Sequence, residues 1–99
     1  MNVISFQAIK EFVRKHKDSN SSLNSWYRIA TKAEWKNLAE VKQSYPHADL
    51  YGRCTIFNIG GNKYRLIAKI DYRAQVLLIR KILTHAEYDK DKWKADCEA

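Results

Sequence analysis

The sequence predicts an α+β domain in which N-terminal helices pack on one face of a small antiparallel sheet. Three observations carry that expectation. Apolar residues recur at helical spacing through Leu38, three β-branched and aromatic runs then follow in close succession, and Gly60-Gly61 separates the first two of those runs. A chain of 99 residues has room for one modest core, so residues 1–99 are expected to form a single domain.

Val3, Ile4 and Ser5 read as a short opening strand. Ser5 can then cap a helix whose apolar positions are Phe6, Ile9, Phe12 and Val13. The polar run from Lys15 to Ser22 ends that helix. A second begins from the Asn20/Ser21/Ser22 cluster, with Leu23, Trp26, Tyr27 and Ala30 along one stripe. Thr31 and Glu34 have capping-box spacing, which predicts a third short helix carrying Trp35 and Leu38. The loop from Gln43 to Gly52 contains Pro46 and closes the helical half.

Arg53 to Ile59, Lys63 to Tyr72 and Gln75 to Leu83 are expected as consecutive antiparallel strands. Gly60 and Gly61 can take the positive φ of a tight hairpin, and Asn62 tolerates it. On the middle strand, Tyr64, Leu66, Ala68, Ile70 and Tyr72 should face the helices. Lys63, Arg65, Ile67, Lys69 and Asp71 should then form a largely exposed opposite face. The expected order is β-α-α-β-β-β, ending in a short helix or tail from Glu87 to Trp93.

Eighteen Lys and Arg against eleven Asp and Glu give a formal charge of +7, which makes a polyanion the first partner to consider. Cys54 and Cys97 lack CxxC spacing and are expected as reduced thiols, the alternative of a structural disulfide requiring an exporting signal. His16, His47 and His85 show no metal-ligand spacing, so neither metal nor cofactor is expected. The N-terminus lacks the pattern of a secretory signal and no apolar run approaches a membrane span, so a cytoplasmic protein without a membrane partner is expected. Gly60-Gly61-Asn62-Lys63 joins strand to strand and lacks the other Walker A positions. No nucleophile elbow is present.

The chemistry-bearing residues lie in Phe57 to Arg65 and in Thr84 to Asp89. Metal-free RNA cleavage needs a base for the ribose 2′-hydroxyl, cations for the phosphorane, and an acid for the departing 5′-oxygen. Arg65 suits the middle role, because a guanidinium stays charged and offers a planar fork to two oxygens. His85 can exchange protons near neutrality, or be a plain capping residue. Tyr88 can act as an acid, stack on a base, or plug the core at the strand's end. Lys63, Asn62, Arg80 and Lys90 are candidate RNA or phosphate contacts, with turn geometry the competing reason for Asn62. Strand parity sends Arg80 and Lys81 to opposite faces. Lys90, Lys92 and Lys94 make a basic tail.

Taken together, Phe57 to Ile67, Ile70-Asp71-Tyr72 and Thr84-His85-Ala86-Glu87-Tyr88-Asp89 resemble the HigB toxins of the RelE-like superfamily. The resemblance extends through Leu23, Trp26-Tyr27, Ala33-Glu34-Trp35 and Ala48-Asp49-Leu50, nearly the whole chain. It implies a RelE-like fold and a ribosome-dependent endoribonuclease that cuts mRNA in the decoding site, leaving a 2′,3′-cyclic phosphate. It also implies a HigA-type helix-turn-helix antitoxin, with operator DNA bound only through that partner. Within the resemblance, Arg65 matches the arginine at the scissile phosphate, and His85 and Tyr88 fall in the catalytic C-terminal stretch, with base and acid left unassigned between them. The alternative is a non-catalytic basic module that docks nucleic acid or an acidic protein. Its own use as a transcription factor is disfavoured, since no helix presents a conspicuously basic face.

Overall fold

The computed structural model describes residues 1–98. Strand β1 (Asn2–Ile4) leads into α1 (Phe6–Lys15), and a 3-10 helix at Lys17–Ser19 connects it to α2 (Asn20–Lys32) and α3 (Leu38–Ser44). The sheet continues with β2 (Asp49–Tyr51), β3 (Cys54–Ile59), β4 (Tyr64–Asp71) and β5 (Val76–Thr84), and the chain ends in α4 (His85–Asp89) and α5 (Lys94–Glu98). The strand order is β1-β5-β4-β3-β2. The four later strands form an antiparallel meander, while β1 lies parallel to β5, so the α+β fold has a mixed sheet. The N-terminal helices carry the chain from β1 at one edge of the sheet to β2 at the other, and the meander then returns to place β5 beside β1.

These helices cover one face of the sheet. Ile9, Leu23, Trp26, Ala30 and Val41 pack there against Phe57, Tyr64, Leu66, Ala68 and Leu77. The alternation read along β4 is therefore correct for its helix-facing side. The third helix starts later than Thr31 and Glu34 suggest. Ala33, the residue after α2, is extended, and Asn37 caps α3 instead, its side chain accepting from the Glu40 N–H at 2.9 Å. Glu40 accepts from the Lys36 N–H in return. Within the expected loop, α3 runs on to Ser44 and Asp49–Tyr51 adds the edge strand β2.

The opposite face departs from expectation. The C-terminal segment folds back over it, so Ile67 is 1% exposed and Arg65 8%. Cys54, Ile56 and Ile67 form a second apolar cluster with Trp93 and Cys97, flanked by Tyr51, Leu83 and Tyr88. Parity says which way a side chain points, and only tertiary packing says what meets it. The same fold-back joins Cys54 and Cys97 in a disulfide, with Cα atoms 5.3 Å apart, where separate thiols were expected. Gly52 permits this approach. Its φ is +57°, and a Cβ there would lie 2.3 Å from the Cys97 carbonyl oxygen.

Among the described residues no helix is long and apolar enough to cross a membrane.

Candidate active site at the hairpin end of the sheet

The β3–β4 hairpin turns through Gly60 and Gly61, whose φ values of 62° and 69° fall where L side chains are strained. Ile59 faces Tyr64 and Asn58 faces Arg65 across this pair. On the other side of β4, Tyr64 faces Thr84 and Arg65 faces Leu83, so the last residue of β5 arrives beside the hairpin turn. The His85 N–H then donates to the Lys63 carbonyl at 3.1 Å. Sheet register thus brings two segments twenty residues apart to one end of the molecule.

Thr84 starts α4 with a reciprocal cap. Its hydroxyl accepts from the Glu87 N–H, and the Glu87 carboxylate accepts from the Thr84 N–H at 2.9 Å. The Thr84 backbone hydrogen bond holds the Glu87 carboxyl below its ordinary pKa. This cap aims α4 so that Tyr88 reaches the sheet. The Arg65 guanidinium lies 5.0 Å from the centroid of the Tyr88 ring, and Trp93 stacks on that ring at 5.0 Å with the planes 10° apart. The Trp93 indole N–H donates to the Tyr88 carbonyl at 2.9 Å.

Arg65 is further held by its own turn. Nη1 donates to the carbonyls of Asn62 and Tyr64 at 3.2 Å, and Nη2 donates to the Asn62 side-chain oxygen. A guanidinium carries about five N–H donors, so two stay uncommitted. His85 is half exposed, and its Nδ1 lies 3.0 Å from the Asp89 carboxylate one turn on. That carboxylate favours the tautomer with a proton on Nδ1, which leaves Nε2 as the acceptor. The arrangement supplies a fixed cation, an imidazole that can take a proton and a phenol, all at the rim of one sheet.

A known family matches most of the chain. The family model for HigB toxins, described as the RelE-like toxic component of a toxin-antitoxin system, matches residues 19–91. The chain belongs to the HigB toxin family. Curated relatives agree over nearly the full length. The mRNA interferase HigB of Escherichia coli O6:H1 (strain CFT073) is 29% identical over 93 residues, covering 91% of this chain and 90% of the relative. The mRNA interferase toxin HigB of Escherichia coli K12 is 28% identical over 92 residues, covering 90% and 88%. The mRNA interferase HigB of Shigella flexneri gives the same figures. Membership in a toxin-antitoxin family implies an antitoxin as partner of this HigB-family chain.

Of the residues singled out from sequence, Asn62, Arg65 and Tyr88 are in contact, and His85 is tied to the same hairpin through its backbone N–H while its ring pairs with Asp89. Lys63 and Arg80 are each engaged by a carboxylate. Lys63 lies in the turn before β4 and swings toward the helical layer. Its ammonium pairs with Asp18 at 2.6 Å, and the Tyr64 hydroxyl donates to the same carboxylate at 2.7 Å. Hydrogen bonds from Lys63 and Tyr64 hold the Asp18 carboxyl low, and that carboxylate raises the Lys63 ammonium. Arg80 is the extra residue of a β-bulge, since Ile67 faces Lys81 while Ala68 faces Ile79. It binds Asp96 of α5 through Nε and Nη2 at 2.8 and 2.9 Å. Lys90 sits at the end of α4 beside Trp93.

Trp93 and Asp89 complete the site's supports and were not singled out from sequence. Of these, Asp89 had a readable signal, a carboxylate four residues after a histidine on a helix. A groove of about 530 Å³ around Met1, Thr31 and Gln75 lies away from these residues. Among the described residues no three His, Cys, Asp or Glu side chains gather as a metal-holding group.

Proposed function

We propose that this HigB-family toxin is an mRNA interferase, an endoribonuclease that cuts mRNA in the ribosomal A site and so stops translation. The activity named for its relatives, mRNA interferase, supports the reaction class. The observation that carries it for this chain is the Arg65 guanidinium held against Tyr88 at the rim where His85 is pinned to the hairpin. In this reading His85 Nε2 exchanges the proton of the attacking 2′-hydroxyl or the leaving 5′-oxygen. Arg65 stabilises charge on the phosphorane with its uncommitted donors, and the Tyr88 hydroxyl serves as the second proton-transfer group. The ring faces of Tyr88 are engaged by Arg65 and Trp93, which favours an acid over a base-stacking platform. Asn62 positions Arg65. Attack by the 2′-hydroxyl needs no metal, and the product is a 2′,3′-cyclic phosphate. The neutralising partner is a HigA-type helix-turn-helix antitoxin, and operator DNA is reached only through it. Residues 1–99 act as a single domain.

The test is purified protein incubated with programmed ribosomes, with naked mRNA as control and chelator in parallel. Cleavage confined to the ribosomal sample and indifferent to chelator supports the reading; intact mRNA on ribosomes refutes it. Because Arg65 is largely buried, Arg65→Lys is the informative variant. It keeps the charge but loses the planar fork, and cleavage should fall roughly 10²–10³-fold, the usual effect of losing a charge-stabilising donor. His85→Ala should lower the single-turnover rate more than ribosome binding. An unchanged rate removes His85 from the chemistry.

A further inference from the structure

The bulge at Arg80 has turned Lys81 onto the same face as the C-terminal segment. There Lys81, Leu83, Glu87, Lys90, Lys92 and Trp93 line a cleft of about 240 Å³. Lys63, Lys69, Arg80 and Lys94 each have a carboxylate within ion-pair distance. Lys81, Lys90 and Lys92 have none among the described residues. Three unpaired ammonium groups therefore share one concavity from three different segments: β5, the end of α4 and the turn before α5. The single carboxylate in the lining, Glu87, already accepts two hydrogen bonds from Thr84. Such an arrangement raises the local potential for an anion.

The cleft adjoins the proposed site through one side chain. Trp93 lines it and also stacks on Tyr88, whose ring carries Arg65. We infer that Lys81, Lys90 and Lys92 form a second phosphate-binding station, which holds the backbone of a single RNA strand on one side of the linkage at Arg65. This rests on the nuclease reading given above. Ammonium groups act as mobile point charges without a fixed fork, so the station grips without reading sequence. It accounts for lysines that form no ion pair among the described residues, whereas the neighbouring Arg80 and Lys69 are spent on Asp96.

The experiment titrates the full chain with a short, fluorescently labelled, 2′-O-methyl single-stranded RNA across a range of salt concentrations. The probe cannot be cut, so binding is read apart from cleavage. Each phosphate neutralised on a single strand contributes about 0.7 to the log–log salt slope. The Lys81→Ala/Lys90→Ala/Lys92→Ala variant should lose about 2 from that slope, while Lys36→Ala/Lys42→Ala on the helical layer should leave it unchanged. All three substituted lysines are exposed, and a matching melting temperature will show the fold is retained. An unchanged slope in the triple variant overturns the inference, as does an equal loss in the control pair. Equal competition by polyglutamate of matched charge assigns the cleft to an acidic protein segment and overturns it too. Failure of ribosomal cleavage by the wild-type chain defeats the nuclease reading alone, and the slope result is scored independently.

Discussion

Breaking the link between Cys54 and Cys97 is the sharpest perturbation of this fold. The bond spans a sequence separation of 43 residues and joins β3 to α5. Cross-linking a loop of that length removes chain entropy from the unfolded state worth about 4 kcal/mol in the loop-closure model. In a chain of this size each kcal/mol corresponds to roughly 4–8 °C in Tm, so reduction should lower the midpoint by roughly 15–30 °C. The other tethers of α5 cannot compensate. The Arg80–Asp96 and Tyr51–Glu98 contacts are solvent-accessible polar pairs, which contribute little beside it. The effect should also reach the site, because Trp93 stacks on Tyr88 just ahead of α5. The assay is a thermal melt followed by tryptophan fluorescence, with and without a phosphine reductant, alongside Cys97→Ser. Mass spectrometry after alkylation of the unreduced protein establishes the bond first. Coincident melts of bonded and reduced protein, matched by Cys97→Ser, would refute the entropic argument. Alkylation of both cysteines without reduction would refute the pairing itself.

Gly52→Ala should destabilise by about 2 kcal/mol or more, since the new Cβ meets the Cys97 carbonyl at 2.3 Å on a backbone already at positive φ; a urea midpoint equal to wild type contradicts the close approach. Tyr45→Phe should be neutral or slightly stabilising, because its buried hydroxyl has no partner among the described residues and burial alone raises its pKa to about 12; a loss above about 1 kcal/mol would reveal a missed hydrogen bond. The Arg80 hydrogen bond lowers the Asp96 carboxyl below its ordinary 3.8. A depressed folded value means stability that is present above the unfolded pKa and lost as pH falls through the folded one. The Tm gap between wild type and Asp96→Asn should therefore be constant well above the ordinary 3.8 and shrink as pH falls below it; a gap that widens with acid reverses the assigned sign.

Sequence alone was enough for features governed by short-range physics. The apolar spacing of Ile9, Leu23, Trp26 and Ala30 marks the helical layer, and alternation along Tyr64, Leu66 and Ala68 marks the sheet face beneath it. Gly60 and Gly61 mark the hairpin because few other residues accept positive φ there. Once a tight hairpin and a short β4–β5 connection are granted, register carries His85 to the turn beside Arg65.

Tertiary structure decided what covers the far face. Residues 90–98 carry too few apolar positions to announce a packed segment, yet Trp93 and Cys97 bury completely enough to close a second core over Ile56 and Ile67. That fold-back converts Arg65 from an exposed strand cation into a held one, pairs the two cysteines, and commits Arg80 to Asp96. A bulge of one residue then puts Lys81 on the face that strict alternation would have shared with only one of the two. Local periodicity fixes direction along a strand, whereas burial, pairing and charge neutralisation depend on contacts between residues distant in sequence.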